Sequence, residues 1–490
     1  MIGGTRSNYR NDQFVQAAAH DLYDHDGAAR RPIGRRWTAA LYPFSLPSML
    51  SITRSGLVRG IGRWDFLALA INSSIGAGIF GLPSQVYALT GAYSLLAFLV
   101  CAILIILIVL CSAEVASHFK DTGGPYLYAR AAFGSAIGFQ VGWLLWLTRM
   151  AAFAAICNLM VSYLAYFWPA ASSGWWRALV VTGVVISLTI INIVGVRRAA
   201  LVSNIFTVCK VIPLLLFVAA GLFFVNPQQF SLATLPSYGS FSDAVLLLVF
   251  MFMGFETTLI PSGEVDEPQH TIPFALLTAI GSVAVLCIMI QVVCIGTLPE
   301  LAHSERPLTE AAGNFLGGAG ATTIAVGALM SMMGILHLIV LATPRLLFAM
   351  AEQGQLPRIL STTHRRFHTP HVAILLTATI MLGLSLSGTF IYAVTISVII
   401  RLIVYASMCA ALPILRRRSR EPSTTFRVPA GTAVSILSLV LCAWLLSNSG
   451  WREARDTAIA AAVGSILYVA YNPKRRESRS KKSVHSAQAS

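Results

Sequence analysis

Residues 71–82 read Ile-Asn-Ser-Ser-Ile-Gly-Ala-Gly-Ile-Phe-Gly-Leu, and Pro83 follows them. This stretch lies inside an apolar segment that runs from about residue 66 to residue 89. A helix in lipid must satisfy its own backbone hydrogen bonds, yet glycine and proline weaken the helix here, near mid-depth. Broken backbone at that depth survives only where it is buried in protein or lines a cavity, and its free N–H groups can then hold a carboxylate. The alternative is that these glycines form a close-packing surface for a neighbouring helix.

The composition indicates an integral membrane protein. Of the 490 residues, 56% are hydrophobic and 11% are charged, whereas a soluble domain carries about 25% charged residues. The mean hydropathy is +0.71. The net charge of +15 comes from basic residues confined to certain loops and to both ends of the chain. We therefore interpret it as a signal of membrane topology and expect the lipid bilayer, not a nucleic acid, as the partner.

Apolar runs of about 18 or more residues predict twelve membrane-spanning helices. Their approximate bounds are 66–90, 93–116, 133–166, 176–195, 201–225, 242–262, 272–298, 319–349, 371–388, 390–413, 431–447 and 456–472. The third and the eighth of these spans are long, which indicates tilt in the membrane.

The distribution of Lys and Arg predicts the orientation of these spans. With both ends of the chain inside the cell, most basic residues fall on the cytoplasmic side. The basic residues of the opposite loops are then Arg177, Arg306, Arg452 and Arg455. This asymmetry predicts basic cytoplasmic tails at 1–60 and 474–490. No cleavable signal peptide is expected, and one hypothesis is that translation begins at Met49.

The sixth span contains a second weak stretch. Residues 250–264 read Phe-Met-Phe-Met-Gly-Phe-Glu-Thr-Thr-Leu-Ile-Pro-Ser-Gly-Glu. A glycine beside a carboxylate, with a proline seven residues after that glycine, again disfavours a continuous helix. Interrupted helices at matching positions of two halves point to the binding site of an inverted-repeat transporter. The alternative is two unrelated kinks.

Several short motifs occur in a fixed order along the chain. They are residues 76–83 (Gly-Ala-Gly-Ile-Phe-Gly-Leu-Pro), 123–130 (Gly-Gly-Pro-Tyr-Leu-Tyr-Ala-Arg) with Phe133 and Gly134, 254–256 (Gly-Phe-Glu), Gly263 and Glu264 with Pro268, Ile272 and Pro273, and Pro344 and Arg345 with 349–351 (Ala-Met-Ala) and 354–357 (Gly-Gln-Leu-Pro). In this order and spacing, over about residues 60–415, the chain resembles the amino acid–polyamine–organocation (APC) superfamily of permeases.

The resemblance implies an all-α integral membrane protein with twelve transmembrane helices and a LeuT-like fold. In that fold five helices are repeated in inverted orientation, helices 1 and 6 are broken, and two helices follow at the end. The first repeat would cover 61–227, the second 228–415, and the last two helices 416–473. The resemblance also implies that the substrate lies between the two breaks.

The resemblance further implies how an amino acid would bind. The α-carboxylate would lie on backbone N–H groups around Ile75, Gly76, Ala77 and Gly78. The α-ammonium would lie on carbonyl groups around Phe250, Met253 and Gly254. The chemistry agrees, because half-helix N-termini favour anions and exposed carbonyls favour cations. Phe250, Met253 and residues of spans three and eight would form the pocket wall, and the lack of a dedicated acid there favours a neutral amino acid.

Lys210 is the first of three basic residues within the predicted spans. Ser203, Thr207 and Lys210 share one helical face by their spacing, so this polar stripe should face the protein interior. In related permeases a lysine at this point of the fifth helix stands where sodium-coupled relatives hold a sodium ion. Because burial disfavours a charged ammonium, Lys210 is a candidate for proton coupling. The alternative is a fixed ammonium that replaces sodium without titrating.

Arg149 and Arg401 are the other two basic residues within the spans. A guanidinium keeps its proton, so a role in proton transfer is disfavoured for both. We expect Arg149 to form structural pairs with backbone carbonyls rather than to contact the substrate, and we expect a structural role for Arg401. Glu256 could pair with one of these cations, assist proton transfer or act in gating, and we place it beside Lys210 as a candidate for proton coupling.

Two aromatic residues are candidates for gating. Tyr126 resembles a family tyrosine near the cytoplasmic end of the pathway, although an interfacial position alone would also explain it. Phe250 stands where some relatives place a larger aromatic gate. His337 lies on an apolar face of the eighth span and is interpreted as a packed histidine rather than a ligand.

The sequence thus predicts a secondary active transporter, most simply one that couples uptake of a neutral amino acid to protons. The alternatives are an amino acid exchanger on the same fold and an amino acid sensor that does not transport. We find no nucleophile elbow, zinc-binding motif or other catalytic motif, so no enzyme, cofactor or metal is expected. The eight cysteines lie in apolar segments and are expected to be free thiols. The basic loops fit the inner membrane of a bacterium.

Overall fold

The computed structural model describes residues 61–119, 124–194, 199–232, 234–260, 265–367, 369–387, 390–418 and 426–471, with the backbone alone at 199–209. Its α-helices are α1 (Arg63–Ser74), α2 (Gly78–Thr90), α3 (Ser94–Ser117), α4 (Gly124–Phe133), α5 (Ser135–Leu164), α6 (Gly174–Val194), α7 (Ala199–Gly221), α8 (Tyr238–Met251), α9 (Phe255–Thr258), α10 (Pro268–Thr297), α11 (Pro307–Glu352), α12 (His371–Ser387), α13 (Phe390–Arg418), α14 (Gly431–Ser447) and α15 (Trp451–Tyr471). The predicted tails at 1–60 and 474–490, including Met49, lie outside the described residues.

The described part of the chain is helical, and many of its helices have the length and composition of membrane spans. Seven of its segments are long and apolar enough to cross a bilayer, or eight if α14 and α15, which are bent by 115° at their junction, count as one span. Two further helices, Lys210–Phe224 and His371–Ser387, are apolar but shorter. The number of twelve spans, the inverted repeat and the bounds of the two repeats stay predictions.

Both predicted interruptions are present. Helix α1 ends at Ser74 and α2 begins at Gly78, while α8 ends at Met251 and α9 begins at Phe255. Gly81 and Pro83, which we expected to weaken the same helix, instead lie within α2. A Cβ atom on Gly81 would lie 2.8 Å from the Leu159 side chain, so this glycine allows close packing against α5.

Helix α5 is the centre of the bundle. It packs against α4, α11, α12 and α13. Of the residues in its most apolar 18-residue stretch, 94% are buried. In the corresponding stretch of α6, 28% of the residues are buried. The side chains of Ile186, Ile190 and Ile191 are exposed on that helix. An apolar surface of this kind fits contact with lipid.

Helix α11 extends over 46 residues but is not straight. Gly317 has a φ of 66° and a ψ of −164°, which interrupts the helical geometry near the start. A left-handed φ favours glycine because other residues would be strained there. The predicted eighth span, 319–349, corresponds to the part of α11 that follows this kink.

The cysteine side chains that the structure describes are buried and free. They are Cys101, Cys111, Cys157, Cys287, Cys294, Cys409 and Cys442. The side chain of Cys209 lies outside the described ones.

A buried ion pair joins α3 to α13 and to the segment before α14. The Glu114 carboxylate accepts hydrogen bonds from Nε of Arg416 at 2.6 Å and from Nη2 at 2.7 Å. The backbone N–H of Val428 donates to the same carboxylate at 2.7 Å, and Arg416 donates to the Val428 carbonyl at 2.9 Å. With 1% of its side chain exposed, Glu114 depends on these donors for its solvation.

Replacing Glu114 with glutamine is therefore expected to destabilise the protein by up to about 3–5 kcal/mol, because the substitution leaves Arg416 without its counter-charge. The measurement is the apparent melting temperature of purified protein in detergent. Glu310→Gln is the matched control, since Glu310 pairs with Arg306 at 3.8 Å with 37% of its side chain exposed and should contribute roughly 0–1 kcal/mol. Equal shifts for both variants would contradict the prediction.

Candidate functional site

The gap between α1 and α2 presents backbone groups to an open space. Ile75, with a φ of −82° and a ψ of 92°, leaves the helical conformation directly after α1. A Cβ atom on Gly76 would meet no atom within 4 Å, whereas one on Gly78 would lie 2.9 Å from Cα of Met251. The first N–H groups of α2 lack acceptors within their own helix. The two interpretations of the sequence therefore apply to different residues, because Gly76 borders open space and Gly78 allows close packing.

The second gap lies directly against the first. Gly254 has a φ of 121°, and a Cβ atom built there would collide with the carbonyl oxygen of Ser73. Both the backbone conformation and the close contact require glycine at this position. The short helix α9 that follows packs against α1. The ends of the interrupted helices thus meet at one place in the protein.

Lys210 binds the carbonyl end of α1. Its side chain is buried, and Nζ donates hydrogen bonds to the carbonyl oxygens of Asn72 and of Ile75, the latter at 3.0 Å. These carbonyls lie at the negative end of the helix dipole, where a cation is favoured. The predicted neighbours on the same helical face, Ser203 and Thr207, have side chains outside the described ones. Lys210 is therefore the cation that stabilises the first gap.

A cavity of about 290 Å³ borders both gaps. This volume is near the lower end of the range for small-molecule sites, roughly 300–1,000 Å³. The predicted binding residues that line it are Gly76, Ala77, Phe250, Met253 and Gly254. Ile75 and Gly78, which were also predicted, are not lining residues. Ile75 instead offers its carbonyl to Lys210, and Gly78 packs against Met251.

Helices α5 and α11, which correspond to predicted spans three and eight, supply further lining residues. The lining residues of these helices include Arg149, Ala152, Ile156, Ser331, Ile335, Leu338 and Ala342. Their spacing of three, four or seven residues places each set along one helical face. His337 is half-buried and also lines the cavity. Its interpretation as a packed histidine rather than a ligand stays a prediction. Ser331 was missed, because a serine in an apolar helix gives no distinct signal.

Glu256 is the buried anion beside the second gap. Its carboxylate forms an ion pair with Arg401 and accepts a hydrogen bond from the Tyr405 hydroxyl at 2.9 Å. The N–H of Gly254 donates to the same oxygen at 3.1 Å. Arg401 also lies 3.3–3.4 Å from the hydroxyl of Thr148. Of the three roles considered for Glu256, the structure contains the pairing with a cation. Proton coupling and gating by Glu256 and the structural role of Arg401 stay predictions.

Arg149 has a different environment. Its guanidinium is 4% exposed, lines the cavity and donates to the Thr257 hydroxyl at 3.2 Å. Among the residues that the structure describes, the acceptor of Arg149 is this hydroxyl and not the expected backbone carbonyls. Within the described part of the chain Arg149 has no ion-pair partner, and Glu256 is paired with Arg401. A charged side chain at mid-bilayer costs at least about 2.5–3.5 kcal/mol, so this placement requires a reason.

Tyr126 is buried away from the cavity lining. Its hydroxyl lies within hydrogen-bond distance of the Gln353 and Gln355 side-chain oxygens, the latter at 3.1 Å. Arg130 donates to Gln353 at 2.7 Å. These contacts connect α4 to the turn that follows α11. Phe250, in contrast, lines the cavity and contacts the ring of Phe390 edge-on, with centroids 6.4 Å apart.

Interrupted helices that meet beside a small cavity are typical of membrane transporters with discontinuous helices. The chain belongs to the amino acid permease family, whose model matches residues 61–470. The protein is therefore an integral membrane protein of a transporter family, not an enzyme. The predicted family is confirmed.

Curated relatives from Bacillus subtilis match most of the chain. The methylthioribose transporter is 28% identical over 85% of this chain and 94% of its own length. The branched-chain amino acid permease BcaP is 24% identical over 88% of this chain and 97% of its own. The serine/threonine exchanger SteT is 28% identical over 86% and 98%, respectively. The chain thus spans nearly the full length of these transporters.

Two glycine substitutions should separate packing from binding. Gly254→Ala should lower the free energy of unfolding by about 2 kcal/mol or more, because the new Cβ meets the Ser73 carbonyl and the backbone is strained. Gly76→Ala places its Cβ in open space and should leave the melting temperature unchanged while weakening substrate binding. Thermal unfolding with and without substrate tests both. A larger loss of stability in Gly76→Ala than in Gly254→Ala would refute this assignment.

Proposed function

We propose that the protein is a secondary active amino acid transporter that works by alternating access, with its substrate held between the two helix gaps. The observation that carries this proposal is the meeting of both gaps beside a cavity of about 290 Å³. We further propose that it acts in the inner membrane of a bacterium with both termini in the cytoplasm. The distribution of Lys and Arg along the sequence supports this orientation.

The two gaps offer opposite charges to the two ends of an amino acid backbone. The N-terminus of α2, at Gly76, Ala77 and Gly78, offers N–H groups and the positive end of a helix dipole to the α-carboxylate. The C-terminus of α8, near Phe250 and Met253, offers carbonyl groups to the α-ammonium. The substrate would lie across the gaps, with its side chain toward α5 and α11.

The charges of the cavity wall disfavour a cationic side chain. Arg149, Lys210 and Arg401 line the cavity, and none of its described lining residues is Asp or Glu. A basic side chain would therefore meet only like charges there. The names of BcaP and SteT support an amino acid without a basic group. The proposal covers neutral side chains, as the sequence predicted, and acidic ones.

Lys210 is the proposed site of proton coupling. When protonated, its ammonium holds the Asn72 and Ile75 carbonyls together across the end of α1. Loss of the proton would remove the charge that favours those carbonyls, so α1 could move relative to α7. Glu256, the second candidate, could take up a proton only after its ion pair with Arg401 breaks. The competing role of Lys210 is that of a permanent structural ammonium.

Tyr126 and Phe250 are the proposed gates. Tyr126 holds the turn after α11 through Gln353 and Gln355, so breaking these contacts would open one end of the bundle. Phe250 lies in the wall of the cavity, where a rotation of its ring would cover or uncover the substrate.

Transport in liposomes tests the function and the coupling together. Purified protein is reconstituted into vesicles without internal amino acid, an inward proton gradient is imposed, and a panel of labelled amino acids is supplied. We expect accumulation driven by the gradient. Lys210→Met should lose this accumulation but retain exchange between internal and external substrate, because the substitution removes the charge and preserves most of the side-chain volume. Arg306→Gln, at a partly exposed ion pair, is the control.

Other outcomes of this experiment select the alternatives. Flux that requires preloaded amino acid would identify an exchanger and return Lys210 to a structural role. Substrate binding without flux would identify a sensor. Loss of both accumulation and exchange in Lys210→Met would also argue against a specific coupling role for this residue.

A further inference from the structure

The guanidinium of Arg149 is a buried cation that faces the cavity with most of its hydrogen-bonding capacity unused. A guanidinium has five N–H donors. The Thr257 hydroxyl accepts one hydrogen bond from Nη2 of Arg149 at 3.2 Å. Within the described part of the chain no carboxylate forms an ion pair with it. Arg149 is 4% exposed and lines the cavity, so its remaining donors are directed at the protein interior and the cavity.

The charges around the cavity do not balance. Three cationic side chains line it, and the nearby carboxylate of Glu256 forms its ion pair with Arg401. Lys210 is satisfied by two backbone carbonyls at the end of α1. Of the three, Arg149 has the fewest acceptors in the described residues, the single hydroxyl of Thr257. The space next to it therefore attracts an anionic group.

A second polar atom of the same wall is also without a partner. The Oγ atom of Ser331 is buried and makes no hydrogen bond within the described structure, although Ser331 lines the cavity. Ser331 lies on α11, which packs against α5, the helix that carries Arg149. His337, on the same helix, is a further cavity-lining group that can donate a hydrogen bond. Hydrogen-bond donors thus occur on both helices that face the substrate side chain.

We propose that Arg149 binds an acidic group on the side chain of the substrate, so that the substrate is an amino acid with two negative groups and one positive group. This inference rests on the proposed function. The α-carboxylate would lie at the start of α2 and the α-ammonium at the end of α8, and the second acid would form an ion pair with Arg149. The guanidinium fork matches the geometry of a carboxylate, which accepts two parallel hydrogen bonds.

This assignment gives the placement of Arg149 a reason. A bound neutral side chain would bury the guanidinium without a counter-charge, and a basic side chain would add a like charge. An acidic side chain neutralises Arg149 when the cavity closes. A cavity of about 290 Å³ suits a short acidic amino acid.

Comparison of each acid with its own amide tests the proposal. L-glutamate, L-glutamine, L-aspartate and L-asparagine are titrated against the purified full chain, and the rise in melting temperature gives the apparent affinity. We expect at least one acid to bind roughly 10- to 100-fold more tightly than its amide, as expected for charge-assisted hydrogen bonds. Arg149→Gln should remove this difference and change affinity for the amide by less than about threefold. Arg149→Lys should retain part of it, and the control Arg306→Gln should retain all of it.

Several results would overturn the proposal. The first is a wild-type protein that binds the amides as tightly as the acids. This comparison needs no variant, so it tests the proposal even if Arg149→Gln does not fold. The second is an Arg149→Gln variant that weakens acid and amide equally, because Arg149 would then hold the α-carboxylate or the fold. Transport of neutral amino acids without binding of acids would overturn this inference alone. Absence of binding and transport for every amino acid would refute the proposed function itself.

Discussion

The site depends on the contact between Gly254 and the carbonyl oxygen of Ser73. Each helix interruption leaves backbone donors and acceptors without partners in their own helix, and lipid cannot supply them. The protein brings the two interruptions together, so that the exposed backbone groups lie in one protected space. The close approach is possible because Gly254 has no side chain and can adopt a φ of 121°. Gly78 permits a similar approach to Met251. Two glycines thus allow the interrupted helices to meet.

Three buried cations around this space are stabilised in three different ways. Lys210 uses the carbonyls at the end of α1, and Arg401 uses Glu256 and Thr148. Both cations thus have acceptors within the protein, and each lies beside a helix gap. Arg149 has the Thr257 hydroxyl and otherwise faces the cavity. An interior charge that the fold leaves incompletely paired is a common mark of a functional position, because its missing interaction can come from a ligand.

The sequence predicted both interruptions, because glycine and proline within apolar segments have direct consequences for a helix in lipid. Long apolar runs predicted the helical class, and the resemblance of the ordered motifs predicted the family. The sequence did not predict where each interruption ends. Gly81 and Pro83 lie inside α2. Gly81 packs against Leu159, which is far away in the sequence, so this packing role could not be predicted from the local pattern. Nor could periodicity identify the partner of Glu256, because Arg401 is 145 residues away. Positions such as Ser331 are visible only once the facing helices are known.

The burial of the cysteines has a practical consequence for studies of motion. Thiol reactivity requires access to the sulfur, and the thiols of Cys101, Cys157 and Cys287, like those of the other described cysteines, are enclosed by protein. A cysteine introduced at an exposed position should therefore react with maleimide reagents ahead of them. Fluorescent or spin labels could then report the movement of α1 or α11 in a protein that keeps these seven cysteines. The dense core would thus allow single sites to be labelled without first removing the buried cysteines.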